Sequence, residues 1–171
     1  MRFEVNDRKY VKERLNSLLK DENVRKMKKF KQHGIVNTYE HCLNVAIMSY
    51  ILVKKLGISV NMDELLRGAM LHDFYLYDWH NGRIRYEGIH AFSHPKIALN
   101  NAKRCFHLSK KEEDIIRNHM FPMTILHCPK SKEAFIVTVA DKICASCETL
   151  DGGFIKGTTS FLFPKLSKYY S

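Results

Sequence analysis

The sequence predicts an all-α fold, and three observations support this prediction. Apolar residues recur at the helical spacing of three and four along most of the chain. Three segments have the form of a capping box, in which a polar residue precedes a helix and a glutamate follows three positions later. Convincing alternation of apolar and polar residues flanked by turns, which would indicate a half-buried strand, is absent.

The first two predicted helices each begin at an asparagine that can act as a cap. Asn37 and Glu40 open a helix over residues 37–56, and Gly57 is typical of the position just after a helix end. A similar Asn-Met-Asp-Glu segment opens a second helix over residues 61–73, and this helix has one broad apolar face.

Three further elements complete the predicted bundle. Residues 74–92 are aromatic and contain glycine, so we expect an ordered loop, with a new helix starting at Ser93-His94-Pro95. A capping box at Ser109 opens a helix over 109–119, which must end before Pro122. Residues 131–149 form a long helix with apolar periodicity.

Length and composition describe an ordinary globular protein. The chain has 171 residues, of which 45 % are hydrophobic and 27 % charged, which excludes a disordered chain, a collagen-like fibre and a disulfide-stapled miniprotein. We expect one domain over residues 1–171, with its motif core at 37–149. Five scattered cysteines, the absence of a secretory signal and the absence of a membrane-length apolar stretch predict a cytoplasmic protein without a membrane partner. Cys144 and Cys147 form a CxxC pair, which we interpret as buried apolar residues.

The charge balance predicts an anionic partner. Lys plus Arg is 28 and Asp plus Glu is 18, so the formal net charge is +10. A positive surface attracts anions, and a nucleotide, a sugar phosphate, RNA and an acidic membrane all meet that description.

Histidine and aspartate side chains recur on the apolar faces of several predicted helices. His41 shares a face with apolar neighbours, His72 and Asp73 close the second helix on its apolar side, and His119 and Asp141 repeat this arrangement. A buried carboxylate is costly unless it is paired or bound to a metal. Convergent imidazoles and carboxylates are how metal sites are built inside helical bundles. Nitrogen and oxygen ligands without thiolate favour Mn, Fe, Co, Ni or Zn.

The order of these residues resembles the H…HD…D signature of the HD superfamily of metal-dependent phosphohydrolases. Residues 67–73, Arg-Gly-Ala-Met-Leu-His-Asp, look like the family's helix into the HD dipeptide, and residues 140–142, Ala-Asp-Lys, look like its closing segment. His94 and His119 match the two extra histidines of the binuclear members. The resemblance spans residues 37–149.

The resemblance implies a centre with two divalent metal ions. The first ion would be held by His41, His72, Asp73 and Asp141. The second would be held by His94 and His119, with Asp73 as the bridge, and His72 and Asp73 would be the catalytic residues. The implied activity is hydrolysis of a phosphomonoester, phosphodiester or pyrophosphate bond by a metal-activated hydroxide. The expected partner is a small phosphorylated substrate, and a nucleotide is the favoured class.

Basic residues near the ligands are the candidates for substrate binding. Four of them lie in or beside the loop before His94, and one follows a ligand directly: Arg83, Arg85, His90, Lys96 and Lys142. Four other histidines have no apolar periodicity around them and are predicted at the surface: His33, His80, His107 and His127. Trp79 and the loop tyrosines Tyr75, Tyr77 and Tyr86 could stack on a base, although packing of the loop onto the core is the favoured interpretation.

Departures from the family patterns narrow the activity, and two other functions stay open. Residues 72–76 read His-Asp-Phe-Tyr-Leu, which replaces both the HDIGK form and the HDIEDT form and so argues against cyclic-di-GMP and guanosine tetraphosphate hydrolysis. A di-iron oxygenase of the inositol oxygenase branch would use the same ligands. A basic helical domain that binds nucleic acid without catalysis is permitted by the charge, but it does not explain histidine and aspartate on apolar faces. The sequence does not predict the oligomeric state.

Overall fold

The computed structural model describes residues 5–81 and 90–150, and the fold of these residues is helical. The α-helices are α1 (Val5–Lys20), α2 (Glu22–Lys26), α3 (Thr38–Leu56), α4 (Met62–Leu71), α5 (His90–Cys105), α6 (Lys110–Asn118) and α7 (Lys132–Leu150). A short antiparallel hairpin of β1 (Lys31–His33) and β2 (Val36–Asn37) leads into α3. The all-α prediction is confirmed, and the hairpin was not predicted because strands of three and two residues are too short to show alternation.

The predicted caps of α3 and α6 are formed as reciprocal hydrogen bonds. The Asn37 side chain accepts from the Glu40 backbone N–H, and the Glu40 carboxylate accepts from the Asn37 backbone N–H. Ser109 and Glu112 make the same pair of bonds at α6. Gly57 follows α3 with a φ of 63°, a left-handed conformation that glycine adopts without steric cost. These helix ends are therefore set by local sequence.

The second helix differs from its prediction at both ends. The Asn61 side chain caps α4. The backbone N–H of Asn61 donates to the Glu133 carboxylate of α7 at 2.9 Å, and this tertiary contact replaces the second hydrogen bond of the predicted capping box. The helix ends at Leu71 rather than at residue 73. His72 and Asp73 consequently lie in the turn that follows the helix. Both side chains are buried in the interior of the protein.

The predicted start of α5 at residues 93–95 is wrong, because the helix already begins at His90. Pro95 lies inside the helix, and its ring nitrogen has no proton to donate to the carbonyl of Ala91, four residues earlier. Only one early hydrogen bond is lost, so the helix continues through the proline. Residues 90–92, expected in the loop, therefore belong to α5, while Trp79–Asn81 form a 3₁₀ turn.

The core forms around α3 and α4, which pack on each other, on α7 and on α6. Leu65, Leu66 and Met70 of α4 are completely buried there, and Cys144 of α7 is buried as expected while Cys147 is half-buried. None of the described helices is long and apolar enough to cross a membrane. The single-domain prediction for residues 1–171 includes residues outside the described ranges and stays a prediction.

The close packing of α4 on α6 depends on Gly68. A Cβ atom at this position would lie 2.4 Å from Cδ1 of Ile115 and 3.1 Å from its Cβ and Cγ2. We expect Gly68→Ala to lower the free energy of unfolding by about 1–3 kcal/mol, as overpacking of a core does, although alanine favours a helix more than glycine. Urea denaturation measures this change.

Shortening the residue that Gly68 contacts provides the control. Ile115→Val removes Cδ1, so Gly68→Ala should cost less in the Ile115→Val background than in the wild type. An unchanged or higher free energy of unfolding for Gly68→Ala alone would contradict the packing argument.

Candidate metal centre

The structure brings all the ligands predicted from the sequence together in the interior. His41 comes from α3, His72 and Asp73 from the turn after α4, and the others from three further helices, as His94 of α5, His119 at the end of α6 and Asp141 of α7. Each of these side chains is buried, with between 0 % and 6 % of its surface exposed. Segments far apart in sequence therefore meet at one polar centre inside an apolar core.

One half of the centre, the inner group, consists of His41, His72 and Asp141. The Asp141 Oδ1 atom lies 3.1 Å from His41 Nε2 and 3.7 Å from His72 Nε2. The Asp73 Oδ2 atom faces the same group, at 3.5 Å from His72 Nε2 and 3.8 Å from His41 Nε2.

The other half, the outer pair, consists of His94 and His119. The Asp73 Oδ1 atom lies 3.2 Å from His94 Nε2 and 3.4 Å from His119 Nε2. The two Nε2 atoms of the pair are themselves 2.9 Å apart. Asp73 thus stands between the two halves and presents a different oxygen to each, which is the arrangement of a bridging carboxylate.

Backbone contacts fix the orientation of three of these imidazoles. The Nδ1 atoms of His72, His94 and His119 each donate to a backbone carbonyl three or four residues earlier, at 2.7, 2.9 and 3.0 Å. A carbonyl oxygen can only accept, so in the neutral ring the proton is on Nδ1 and the lone pair on Nε2. The lone pairs of His94 and His119 therefore point at each other, which is unfavourable unless a cation lies between them.

Buried polar atoms without a partner show that the residues fit a metal ion. His72 Nε2 and Asp73 Oδ1 are buried and have no hydrogen-bond partner, although burying an unsatisfied polar group costs about 1–3 kcal/mol. Among the described residues, two groups have ligand atoms within 4.8 Å of one another, His41-His72-Asp141 and His72-Asp73-His119. Imidazole and carboxylate donors suit a divalent transition metal.

The two carboxylates are ionised at neutral pH. Burial raises the pKa of Asp73, but His72 and His94 lower it further, so that the pKa lies well below its usual range. Burial likewise raises the pKa of Asp141, but the hydrogen bond with His41 and the proximity of His72 and of the Lys142 ammonium group bring it well below the usual range. Both groups are therefore available as anionic ligands.

The imidazoles differ in their protonation. Burial lowers the pKa of His119 to about 4, in spite of its contact with Asp73, so this ring is a neutral ligand. Burial lowers the pKa of His41 too, but hydrogen bonds to Asp141 and Glu148 outweigh it and raise the pKa to about 10. Because a metal ligand must be deprotonated, metal binding at His41 would release a proton.

Two residues that contact the ligands were missed by the sequence analysis. The Glu148 carboxylate contacts Nδ1 of His41 at 2.7 Å, and the Gln32 amide donates to Asp73 Oδ2 at 2.6 Å. Glu148 follows Asp141 by two helical turns on the same face of α7, a spacing that could have indicated it. Gln32 lies in a hairpin too short to leave a pattern, so only the folded chain shows it.

The surface prediction for His33 is wrong. This side chain is half-buried, and its ring meets that of His41 edge-on at a centroid distance of 5.3 Å. Burial and the neighbouring His41 lower the pKa of His33. His80 and His107 are exposed as predicted, while His127 is half-buried beside Arg117. Strand β1 brings His33 to the centre. The residues next to His33 in the sequence give no sign of this position.

The predicted substrate-binding residues fall into three groups. Arg83 and Arg85 lie outside the described residues, and Lys96 is exposed on α5. His90 stacks on His94 at a centroid distance of 4.6 Å, and burial and His94 lower its pKa to about 4, so it is neutral. The Lys142 Nζ atom lies 2.8 Å from Asp141 Oδ2. The structure thus brings His90 and Lys142 to the metal centre.

The aromatic residues of the loop pack on their neighbours. Trp79 stacks on the imidazoles of His80 and His90, at centroid distances of 3.8 and 4.8 Å. Tyr75 is buried in the core, and Tyr77 contacts His90 through its hydroxyl group. The favoured interpretation of Trp79 and Tyr75 as packing residues agrees with these contacts, whereas Tyr86 lies outside the described residues.

Comparison with known proteins places this centre in a family. A family model described as HD domain matches residues 38–146, which is more than half of the chain and includes every ligand described above. No curated protein sequence matches the chain significantly. The resemblance stated from the sequence is thus confirmed, and the chain belongs to the HD domain family, whose members are generally metal-dependent hydrolases.

Proposed function

We propose that the protein hydrolyses a phosphoester or pyrophosphate bond of a small phosphorylated substrate, with two divalent metal ions. The observation that supports this most is the position of Asp73. Its Oδ2 atom faces the inner group, and its Oδ1 atom faces the outer pair. A carboxylate shared in this way is typical of two-metal hydrolytic sites.

The residues present would divide between the two ions. The inner group and Asp73 would hold the first, and the outer pair and Asp73 would hold the second; the suitable metals are Fe, Mn, Co, Ni and Zn. When bound, such ions supply a hydroxide nucleophile at neutral pH and neutralise charge on the phosphoryl oxygens.

Two of the protein's own groups would orient the substrate. Lys142 is partly exposed, with 38 % of its side-chain surface accessible, while its Nζ atom lies at the edge of the centre beside Asp141. We assign it to a phosphoryl oxygen of the substrate, because its charge is close to the ligands and still reaches solvent. The neutral His90 ring lies at the outer pair and can donate a hydrogen bond from one nitrogen.

The charge of the whole chain supports a nucleotide or similar polyanion as the substrate. A net charge of +10 raises the local concentration of anions around the protein. Arg83 and Arg85 lie outside the described residues and stay predicted contacts of the substrate. A function in nucleic-acid binding alone would leave the buried donor atoms of the metal centre without a role.

The test is a screen for phosphate release under anaerobic conditions. Purified protein is first analysed for bound metals, then stripped and reloaded with Fe, Mn, Co, Ni or Zn in turn. We expect at least one metal to support phosphate release from a panel of nucleotides and sugar phosphates without O₂. Substrate turnover that requires O₂ and gives a mixed-valent iron signal would instead establish the oxygenase alternative. Salt-sensitive RNA binding that survives removal of the metal, with no turnover, would establish a nucleic-acid-binding domain.

A further inference from the structure

Two ligands that face the inner metal position are held by side chains from outside the family-matched region. His41 and Asp73 lie within residues 38–146, whereas Glu148 and Gln32 lie just beyond its two ends. Both holding residues are buried, with 5 % and 6 % of their surface exposed. Buried polar groups that contact ligands in this way usually set the orientation and basicity of the ligand.

Glu148 holds the imidazole of His41. Its Oε2 atom lies 2.7 Å from His41 Nδ1, and its Oε1 atom accepts from Asn44 Nδ2 at 2.9 Å. With Nδ1 bound to a carboxylate, His41 presents Nε2 to the inner group. The Asn44 contact fixes the Glu148 carboxylate, which in turn fixes the orientation of the His41 ring.

Gln32 holds the carboxylate of Asp73. Its amide nitrogen donates to Asp73 Oδ2 at 2.6 Å, and its amide oxygen accepts from the Tyr75 hydroxyl group. The amide has only one workable orientation, because the ionised carboxylate accepts hydrogen bonds and cannot donate them. The oxygen that Gln32 holds is the one that faces His41 and His72.

The two holding residues belong to segments that pack against each other. Gly34, in the turn of the hairpin, has a φ of +54°, and a Cβ atom there would lie 2.7 Å from the backbone oxygen of Glu148. Only glycine permits this approach. We call Gln32, Gly34 and Glu148 the clasp, since they join the hairpin to the end of α7 beside the inner group.

The outer pair is oriented differently. His94 and His119 each bind a backbone carbonyl of their own helix through Nδ1, at 2.9 and 3.0 Å. Their orientation therefore follows from α5 and α6. We propose that the clasp positions two of the ligands of the inner metal, through Glu148 on His41 and Gln32 on Asp73 Oδ2. This inference rests on the metal centre of the proposed function and adds to it two positioning residues that the family motif does not contain.

The test measures metal affinity at the inner position only. The His94→Ala chain, expected to keep the inner metal, serves as the parent, and Gln32→Met and Glu148→Gln are introduced into it. Competition with a chromophoric chelator, with Zn²⁺ and Mn²⁺ as probes, gives the affinity. We expect each variant to bind about 10–100-fold more weakly than the parent, which is the usual effect of removing a hydrogen-bond partner of a ligand. Tyr75→Phe, which releases the Gln32 amide oxygen, should give a smaller loss in the same direction.

Controls separate positioning from folding. Glu13→Gln makes the same chemical change as Glu148→Gln on the exposed surface of α1, and it should leave the affinity unchanged. The metal-free Gln32→Met chain should unfold within a few degrees of its metal-free parent. An affinity equal to that of the His94→Ala parent in both clasp variants would overturn the inference, and so would a loss seen only in chains already unfolded at the assay temperature. The affinities are measured without substrate, so a failed phosphate-release screen would reject the hydrolase and leave the clasp result standing.

Discussion

Asp73→Ala should abolish both metal binding and hydrolysis. This single carboxylate faces the inner group with one oxygen and the outer pair with the other, so its removal takes a ligand from both proposed ions at once. The free energy of unfolding of the metal-free protein should fall too, because the Gln32 amide and the surrounding imidazoles lose their anionic partner. Each buried polar group left unpaired costs about 1–3 kcal/mol. Metal analysis, phosphate release and urea denaturation measure the three effects.

Two matched variants make this result specific. Asp73→Asn keeps the shape of the side chain and one acceptor oxygen but loses the charge, so it should fold better than Asp73→Ala and still lack activity. Asp63→Ala removes an aspartate at the other end of α4, where the carboxylate pairs with Arg14 and is 64 % exposed. This control should keep its metal and its activity. A fully active Asp73→Ala enzyme would contradict the proposed mechanism.

His94→Ala and His119→Ala should each lower the metal content from about two ions per chain towards one. The outer pair supplies only these two imidazoles beside the shared Asp73, and their Nε2 atoms converge at 2.9 Å. Loss of either ring leaves too few donors for the second ion, while the inner group keeps its own ligands. His41→Ala should remove the inner ion instead. Elemental analysis and isothermal titration of the stripped proteins give the stoichiometry.

An exposed histidine provides the comparison for these variants. His107 lies outside the centre on the protein surface, so His107→Ala should bind the same number of ions as the wild type. A wild-type protein that saturates at one ion, with His94→Ala and His119→Ala unchanged, would establish a mononuclear centre. His94 and His119 would then act on the substrate or on the ligands rather than on a metal.

The local pattern of the sequence was enough to predict α3 to α7, with errors at the ends of α4 and α5, and the candidate ligands that belong to them, whereas α1 and α2 were not predicted. Asn37 and Ser109 form their caps with residues three positions later, so the information lies within one turn. His41 and Asp141 were recognised because a polar side chain on an apolar helical face needs a partner. Such inferences concern residues a few positions apart, where helical geometry alone decides which side chains share a face.

The sequence could not indicate where a helix is extended or cut short by contacts with distant segments. Helix α5 begins three residues before Ser93, although Pro95 is typical of a first turn. Helix α4 ends at Leu71, and Asn61 at its start is completed by Glu133 from α7. These differences arise because packing of the whole chain outweighs the weaker preference of a single residue.

The sequence by itself determined the helical fold through short-range spacing, and it determined the family and the candidate ligands through the order of the His and Asp motifs along the chain. Only the tertiary structure decided that Asp73 faces both halves of the centre and that His33 and Gln32 lie beside it. It also decided which residues hold the ligands, as with Glu148 on His41. The physical reason is that the contact of Gln32 with Asp73 joins residues 41 positions apart and that of Glu148 with His41 joins residues 107 positions apart. No local period relates such positions until the core has packed.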